Sequence, residues 1–169
     1  MFQTIPRAQL VTGTAFALMG GIIATSAIRQ FWFRPQVTYP LENRVYFPVR
    51  YEHEFDPLLP LPLPLLVNFT VRNDPVSNKL TGALHRIVTK ETEKCCRLVD
   101  VEADEPTMRD IMLKYQINNI PTIMAINGGL PKSYYVPTEF KNNHEAEVDW
   151  EKLKAWVEEV AIERPKTEK

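Results

Sequence analysis

The sequence predicts an α/β domain with a mixed sheet flanked by helices, preceded by one N-terminal transmembrane helix and a proline-rich linker. From Leu65 onward, short apolar runs and amphipathic segments follow the order strand, helix, strand, helix, strand, strand, helix. Crossovers that return to the same sheet give parallel strands, whereas a two-strand hairpin is antiparallel, so this order requires a mixed sheet. Upstream, no charged residue occurs between Ala8 and Ile28.

Changes of composition divide the chain into five parts. These are an N-terminal segment (1–9), a transmembrane helix (10–29), an interfacial and proline-rich linker (30–63), the α/β domain (64–163) and a polar tail (164–169).

The apolar segment from Leu10 to Ile28 would be about 28 Å long as a helix, close to the thickness of the bilayer core. The sequence "RQFWFR" follows it directly and supplies aromatic and arginine side chains typical of a membrane interface. Only Arg7 precedes the apolar run, which is also longer than the core of a cleaved signal peptide. We therefore expect a retained, single-pass anchor in the lipid bilayer.

Small side chains recur every four residues along this helix, at Gly13, Ala17, Gly21 and Thr25. Residues four apart share one face of a helix, and small residues let a second helix approach closely. The pattern predicts a packing face for another subunit of a membrane complex. Gly and Ala are also common in membrane helices for no specific reason, and this alternative stays open.

The segment 35–64, which comprises most of the linker and the first residue of the domain, contains seven prolines. Its run "PLLPLPLPLL" is typical of an extended, semi-rigid spacer. Within it, Arg44–Tyr51 alternates enough to predict a short edge strand, since Pro48 is tolerated only at a sheet edge.

The elements of the domain follow from local patterns. Asp74 and Pro75 are typical of an N-cap and a first helical residue, and apolar residues recur at helical spacing behind them. Glu105-Pro106 begins a second helix, and Asp149 caps a third helix whose inward side chains are Trp150, Leu153, Trp156, Val157 and Val160. The predicted strands are Leu65–Val71, Cys96–Glu102, Thr122–Ile126 and Ser133–Val136, the last two joined by the turn Asn127-Gly128-Gly129.

Charge and cysteine content exclude several function classes. Lys and Arg number 20 against 21 for Asp and Glu, and no basic stripe is present, so we expect no nucleic-acid partner. The two cysteines are adjacent, Cys95-Cys96, and form no CxxC or metal-ligand spacing, so we expect neither a metal nor a cofactor. We interpret them as small residues at a strand start, one facing inward and one outward. A vicinal redox switch or a metal-binding pair is the alternative.

Several segments together resemble a thioredoxin fold. They are "PLLVNF" (64–69), "VDVEADEP" (99–106), "YQINNIPTIMAINGG" (115–129) and the closing amphipathic helix, and the resemblance covers about residues 65–161. The most specific piece is "YQINNIPT", similar to the family's helix end and Ile-Pro-Thr loop. The resemblance implies that Pro121 is a cis-proline beside the family's active site, with Ile120 before it and Thr122 after it.

The family's redox residues are missing at the matching positions. An ungapped match places Asp74-Pro75-Val76-Ser77 where Cys-x-x-Cys belongs, and a shift by one residue gives Asn73 to Val76, again without a thiol. Disulfide exchange needs a thiolate, and Ser77 is a weak nucleophile without a base nearby. The three histidines (His53, His85 and His144) are distant in sequence. Asn68, which cannot titrate, stands where many thioredoxins have a buried acid.

We therefore expect a non-enzymatic, redox-inactive domain that binds a partner protein as a structural or assembly subunit. In the family, the backbone beside the cis-proline pairs with an extended segment, a form of strand addition. The candidate partner-binding residues are Asp74, Pro75, Ser77, Ile120, Pro121 and Thr122. The alternatives are a divergent thiol or glutathione-linked oxidoreductase and a non-catalytic, disulfide-isomerase-like chaperone of the secretory pathway.

The N-terminal charge pattern bears on location. The first 41 residues contain no acidic residue and include Arg7, Arg29 and Arg34, which favours the mitochondrial inner membrane over the endoplasmic reticulum.

Overall fold

The computed structural model describes residues 42–141 and 143–164, all within one compact unit that begins at Tyr39. The predicted transmembrane helix, with Gly13, Ala17, Gly21 and Thr25, lies outside the described residues, as does the tail after Arg164. Among the helices of the described part, none is long and apolar enough to cross a membrane.

Five strands form one mixed sheet in the order β1-β3-β2-β4-β5. The strands are β1 (Arg44–Val45), β2 (Leu65–Thr70), β3 (Arg97–Glu102), β4 (Thr122–Asn127) and β5 (Leu130–Tyr135). β3 runs parallel to both β1 and β2, whereas β4 is antiparallel to β2 and to β5. The predicted mixed sheet of parallel crossovers and a terminal hairpin is confirmed.

Among the described residues, four α-helices flank this sheet: α1 (Glu52–Phe55), α2 (Pro75–Arg86), α3 (Arg109–Lys114) and α4 (Trp150–Val160). A single π-helical turn, Ile87–Glu91, extends α2, and a 3₁₀ turn, Pro106–Met108, leads into α3. Because neighbouring side chains of a strand point to opposite faces, β2 contributes to two cores. Leu66 packs with α2 and α4, whereas Leu65, Val67 and Phe69 pack with Met108 and Ile111 beside α3.

The hairpin differs from its predicted bounds. The turn consists of Gly128 and Gly129 alone, both with positive φ (60° and 77°), and Asn127 belongs to β4. β5 begins three residues before the predicted Ser133 and ends at Tyr135. It includes Pro131, which is tolerated because β5 is an edge strand and the pairing is irregular at Ala125/Ile126.

Helix α4 is also less deeply buried than predicted. Of the five residues predicted to face inward, only Leu153 and Val157 are fully buried. The two tryptophans and Val160 are half-buried and pack around the edge of the core. The indole nitrogens reach polar partners there, since Trp150 donates to Glu91 and Trp156 donates to Ser133.

The described part of the predicted linker is built into the domain. β1 pairs with β3, and Val49 bridges to Val101 on the same strand. Phe55 is 1% exposed and meets the Tyr115 ring edge-on, with 6.0 Å between ring centroids. Residues 44–63 therefore belong to the folded unit rather than to a free spacer ending at residue 64.

This placement predicts that Phe55→Ala destabilises the domain by about 3–5 kcal/mol, because it removes a fully buried aromatic side chain. The matched control is Phe47→Ala in the same segment, where the side chain is 91% exposed. Its effect should stay within about 0.5 kcal/mol. Urea unfolding of the full chain in mild detergent measures both, and equally small effects would show that this segment does not contribute to the core.

Candidate partner-binding site

The N-terminus of α2 begins as the sequence predicts. Asp74 is the N-cap, with an extended backbone, and its carboxylate accepts a hydrogen bond from the Ser77 backbone N–H at 2.7 Å. Pro75 occupies the first helical turn, where no N–H is needed. Asn73, just before the cap, has φ of 61°, a left-handed conformation that asparagine tolerates. The donors at this helix end are therefore partly satisfied by the chain's own carboxylate.

The peptide bond between Ile120 and Pro121 is cis, as the resemblance implied. Thr122 follows as the first residue of β4 and pairs with Phe69 at the end of β2. Its hydroxyl donates to the Asn119 carbonyl at 2.6 Å, which closes the loop around the proline. Ile120 remains 40% exposed.

A cavity of about 550 Å³ lies between these two features. Asp74 and Val76 line it from α2, and Ile120 and Pro121 line it from the loop before β4. The remaining wall comes from the segment after β5 (Val136, Pro137, Thr138, Phe140, Lys141 and His144). The cavity is mainly apolar with a few polar groups at its rim, which is the usual make-up of a binding site.

Three of the six predicted site residues, Asp74, Ile120 and Pro121, line this cavity. The other three have different positions. Ser77 is fully buried, and its hydroxyl accepts a hydrogen bond from the Val71 N–H at 3.3 Å. Thr122 is buried at the start of β4, and Pro75 is exposed on the first turn of α2.

The wall formed by described residues of the segment after β5 is absent from the predicted site. Lys79 on α2 holds the three residues that follow this wall. Its ammonium group donates to the carbonyls of Glu145 and Ala146 and to the Glu147 carboxylate, each at 3.0 Å. The sequence from Pro137 to Glu147 is polar and irregular, and Phe140 is the one residue in it that indicates inward packing. No local sequence pattern indicates that Lys79 contacts residues 145–147.

An ionic cluster holds the loop between β2 and α2. The Glu102 carboxylate, buried at the end of β3, accepts two hydrogen bonds from Arg50 at 2.8 Å and one from Arg72. The bond from Arg50, joined by that from Arg72, outweighs burial and lowers the pKa of Glu102. Arg72 also reaches Glu105 at 3.0 Å. The cluster fixes the chain just before Asn73 and Asp74.

A second polar network is centred on Asn68 of β2. The fully buried Asn68 donates from Nδ2 to Thr81 and to Asp100, each at 2.8 Å. Asp100, one strand away, contacts His85 Nε2 at 2.7 Å. Asn68 Oδ1 has no hydrogen-bond partner within the described part of the chain. The carboxylate of this network therefore belongs to Asp100 on β3, and it contacts His85.

The two cysteines lie at the other end of the sheet. Cys96 directly precedes β3, whose first residue Arg97 pairs with Leu65, whereas Pro121 adjoins the Phe69 end of β2. The prediction that one cysteine faces outward is wrong, because both are fully buried. Ile162 pairs with Cys95 through two backbone hydrogen bonds, and Asn43 accepts from the Cys96 N–H. Burial and the neighbouring Cys95 raise the pKa of Cys96 to about 12.

Solved structures similar to this chain are thioredoxins. A mutant thioredoxin from Halobacterium salinarum NRC-1 is 16% identical with a TM-score of 0.55, covering 76% of this chain and 99% of that one. Thioredoxin Mala s 13 from Malassezia sympodialis is 13% identical with a TM-score of 0.54, covering 75% and 97%. Plasmodium falciparum thioredoxin is 16% identical with a TM-score of 0.53, covering 68% and 98%.

No family model matches the chain, and no curated protein sequence matches it significantly. At these identities the structural likeness shows the fold alone. The chain has the fold of the thioredoxin-like superfamily.

The His85–Asp100 contact predicts a pH-dependent stability. The hydrogen bond that the protonated His85 ring donates to the Asp100 carboxylate raises the pKa of His85 above its ordinary value near 6.5. The folded state therefore favours the protonated imidazole, so this stabilisation is complete below about pH 6.5 and is lost as pH rises through the folded-state pKa. The midpoint urea concentration for unfolding of the native chain, measured from pH 5.5 to 9, should fall as pH rises.

His85→Gln should remove the pH-dependent decrease in the urea midpoint that this contact causes. His53→Gln should leave that decrease unchanged, since His53 stacks on Tyr51 at the surface. An NMR titration of the His85 ring gives the pKa directly. The same pH dependence in both variants would contradict the assignment.

Proposed function

We propose that this chain is a membrane-anchored, redox-inactive thioredoxin-like protein that binds a partner protein at the cis-proline cavity. In this role it is a structural or assembly subunit of an organellar membrane complex, with the mitochondrial inner membrane favoured and the endoplasmic reticulum as the alternative. The anchor is the apolar helix predicted for residues 10–29, whose small-residue face (Gly13, Ala17, Gly21 and Thr25) offers a second contact with the complex.

The observation that carries this proposal is the carboxylate of Asp74 in the cavity that Pro121 also lines. A thiolate at a helix N-terminus is stabilised by the free N–H groups and the dipole there. Here Asp74 uses one of those N–H groups, that of Ser77, as an ordinary helix cap. A carboxylate cannot exchange a disulfide, so the arrangement supports binding rather than thiol chemistry.

The positions of the thiols support the same conclusion. Cys95 and Cys96 are fully buried at the opposite end of the sheet. Thiol exchange requires an accessible thiolate, whereas the raised pKa of Cys96 favours the protonated form at neutral pH.

The surface around the cavity supports a protein partner. Ile120 and Val136 line the cavity and remain 40% and 41% exposed. Clustered, exposed apolar side chains beside polar ones are typical of a protein-binding surface. The cis-proline loop before β4 carries the backbone with which an extended segment would pair.

The redox part of the proposal is tested by insulin-disulfide reduction with the full chain in mild detergent. We expect the native chain to reduce insulin no faster than dithiothreitol alone does. The Cys95→Ser/Cys96→Ser variant should likewise show no rate above that of dithiothreitol. An active thioredoxin serves as the positive control. Turnover by the native chain would support the oxidoreductase alternative, and its loss or persistence in the double variant would show whether these cysteines carry it.

The binding part is tested by native electrophoresis of membranes solubilised in mild detergent. We expect the full chain to migrate with a larger complex, and Ile120→Asp to reduce that fraction several-fold because it places a charge on an apolar contact. Phe47→Asp, at a side chain that is 91% exposed and outside the cavity, is the matched control. Migration of the native chain as a lone monomer would contradict a subunit role.

A further inference from the structure

We infer that the partner contributes an extended segment with apolar residues at its centre and acidic residues at both ends, which lies in a groove from the cavity to α3. This inference rests on the proposed function and specifies the chemistry of the partner.

The groove consists of three adjoining depressions. The cis-proline cavity shares Asn119 and Val136 with a second depression of about 270 Å³. The second shares Gln116, Ile117 and Asn118 with a third, of about 370 Å³, that reaches α3. We call these three together the loop groove, because the segment between α3 and Pro121 forms its floor.

The middle of the loop groove presents apolar side chains to solvent. Tyr134 near the end of β5 and Val136 just after it line the middle depression and are 45% and 41% exposed. Ile120, in the adjoining cavity, is 40% exposed. Leu113 continues the apolar surface onto α3, where it is 67% exposed. The Tyr134 hydroxyl donates to the Tyr115 carbonyl at 3.2 Å, which holds that ring across the floor of the groove. Central positions of a bound segment should therefore be apolar.

The two ends of the loop groove carry positive charge. Lys141 lines the cavity at one end, and Arg109 lines the third depression at the other. Neither side chain has an ion-pair partner within residues 42–141 and 143–164.

Negative charge in the loop groove is weaker. Among the described residues that line it, Asp74 is the one acidic side chain, and its carboxylate is occupied by the Ser77 N–H. Glu139 does not line the cavity, and its carboxylate accepts from the Asp149 N–H at 3.2 Å. The groove therefore favours acidic groups at its ends.

The same charge pattern disfavours segments of this chain as occupants. Residues 1–41 contain three arginines and no acidic residue, and residues 165–169 contain two lysines and one glutamate. Both segments have the same sign of charge as the ends of the loop groove. A separate, acidic partner chain fits better.

The shape of the loop groove favours an extended segment over a helix. It is a row of three small depressions along an irregular loop and the end of edge strand β5, rather than one wide trough. Alternate side chains of an extended chain point to the same side and can enter successive depressions.

The test uses fluorescein-labelled ten-residue peptides and the full chain in mild detergent, with binding followed by fluorescence anisotropy. One peptide has two glutamates at each end and valine, leucine and phenylalanine between them; its match has lysines at the ends. We expect the glutamate peptide to bind about tenfold more tightly at low salt, because exposed charge pairs contribute about 0.2–1 kcal/mol each. About 1 M salt, where the Debye length is about 3 Å, should remove the difference.

Charge-reversal variants locate the effect. Arg109→Glu and Lys141→Glu should each weaken binding of the glutamate peptide about three- to tenfold and strengthen binding of the lysine peptide. Lys90→Glu, at an exposed residue of the π-helical turn and outside the groove, should change neither affinity. Reversal of preference by both groove variants would support the inference.

Three results would overturn it. In the first, both peptides bind equally, Ile120→Asp abolishes binding, and Arg109→Glu and Lys141→Glu do not change it. This result would reject the charge pattern and leave the proposed function standing. Binding of neither peptide would reject the groove as a peptide site, and the proposed function would then depend on the native complex alone. Concentration-dependent self-association abolished by the two groove variants would assign the groove to a second copy of the chain.

Discussion

The antiparallel pairing of β2 with β4 determines where every element of the candidate site lies. It places Phe69, near the end of β2, opposite Thr122, at the start of β4. The chain leaves β2 towards Asp74 and enters β4 from Pro121, so the helix cap and the cis-proline face one cavity although they are far apart in sequence. A binding surface at this end of the sheet follows from strand direction, because both connections meet at the same edge.

Polar groups around this edge maintain the geometry without supplying thiol chemistry. The Glu102 carboxylate joins Arg50 and Arg72, which ties the loop before α2 to the segment after β1. Two residues before Glu102 on β3, Asp100 forms a buried pair with Asn68 that extends to His85. Buried polar groups are costly unless they are hydrogen-bonded, so these contacts specify one arrangement of strands and loops. The carboxylate of this network belongs to β3, and the N-terminus of α2 beside the cavity is capped by Asp74.

Features set by neighbouring residues could be predicted from the sequence. The Asp74-Pro75 cap, the Gly-rich turn and the order of strands depend on local propensity and on apolar periodicity, so the pattern alone indicates them. The cis-proline was accessible only through the resemblance carried by "YQINNIPT".

Features that depend on distant contacts could not be predicted. The sequence predicts a linker at residues 44–63 because the buried side chains there, Val49, Phe55 and Leu63, are widely spaced among prolines. Only contacts with distant residues, such as that of Phe55 with Tyr115, show that this segment belongs to the folded unit. Both cysteines are covered by Asn43 and Ile162, which lie far away in sequence. The cavity wall after β5 adjoins a segment tethered by Lys79, a contact that no periodicity encodes.

Site-specific photo-crosslinking in native membranes tests most directly whether the cis-proline cavity holds a partner chain. A benzophenone amino acid replaces Ile120 in one variant of the full chain and Phe47 in another, and the adducts are separated by size and identified by mass spectrometry. Both positions are exposed, at 40% and 91%, but only Ile120 lines the cavity. The account predicts one discrete adduct with a membrane-complex subunit from the Ile120 variant and none of that size from the Phe47 variant. Absence of an adduct at Ile120, or the same adduct in equal yield from Phe47, would contradict it.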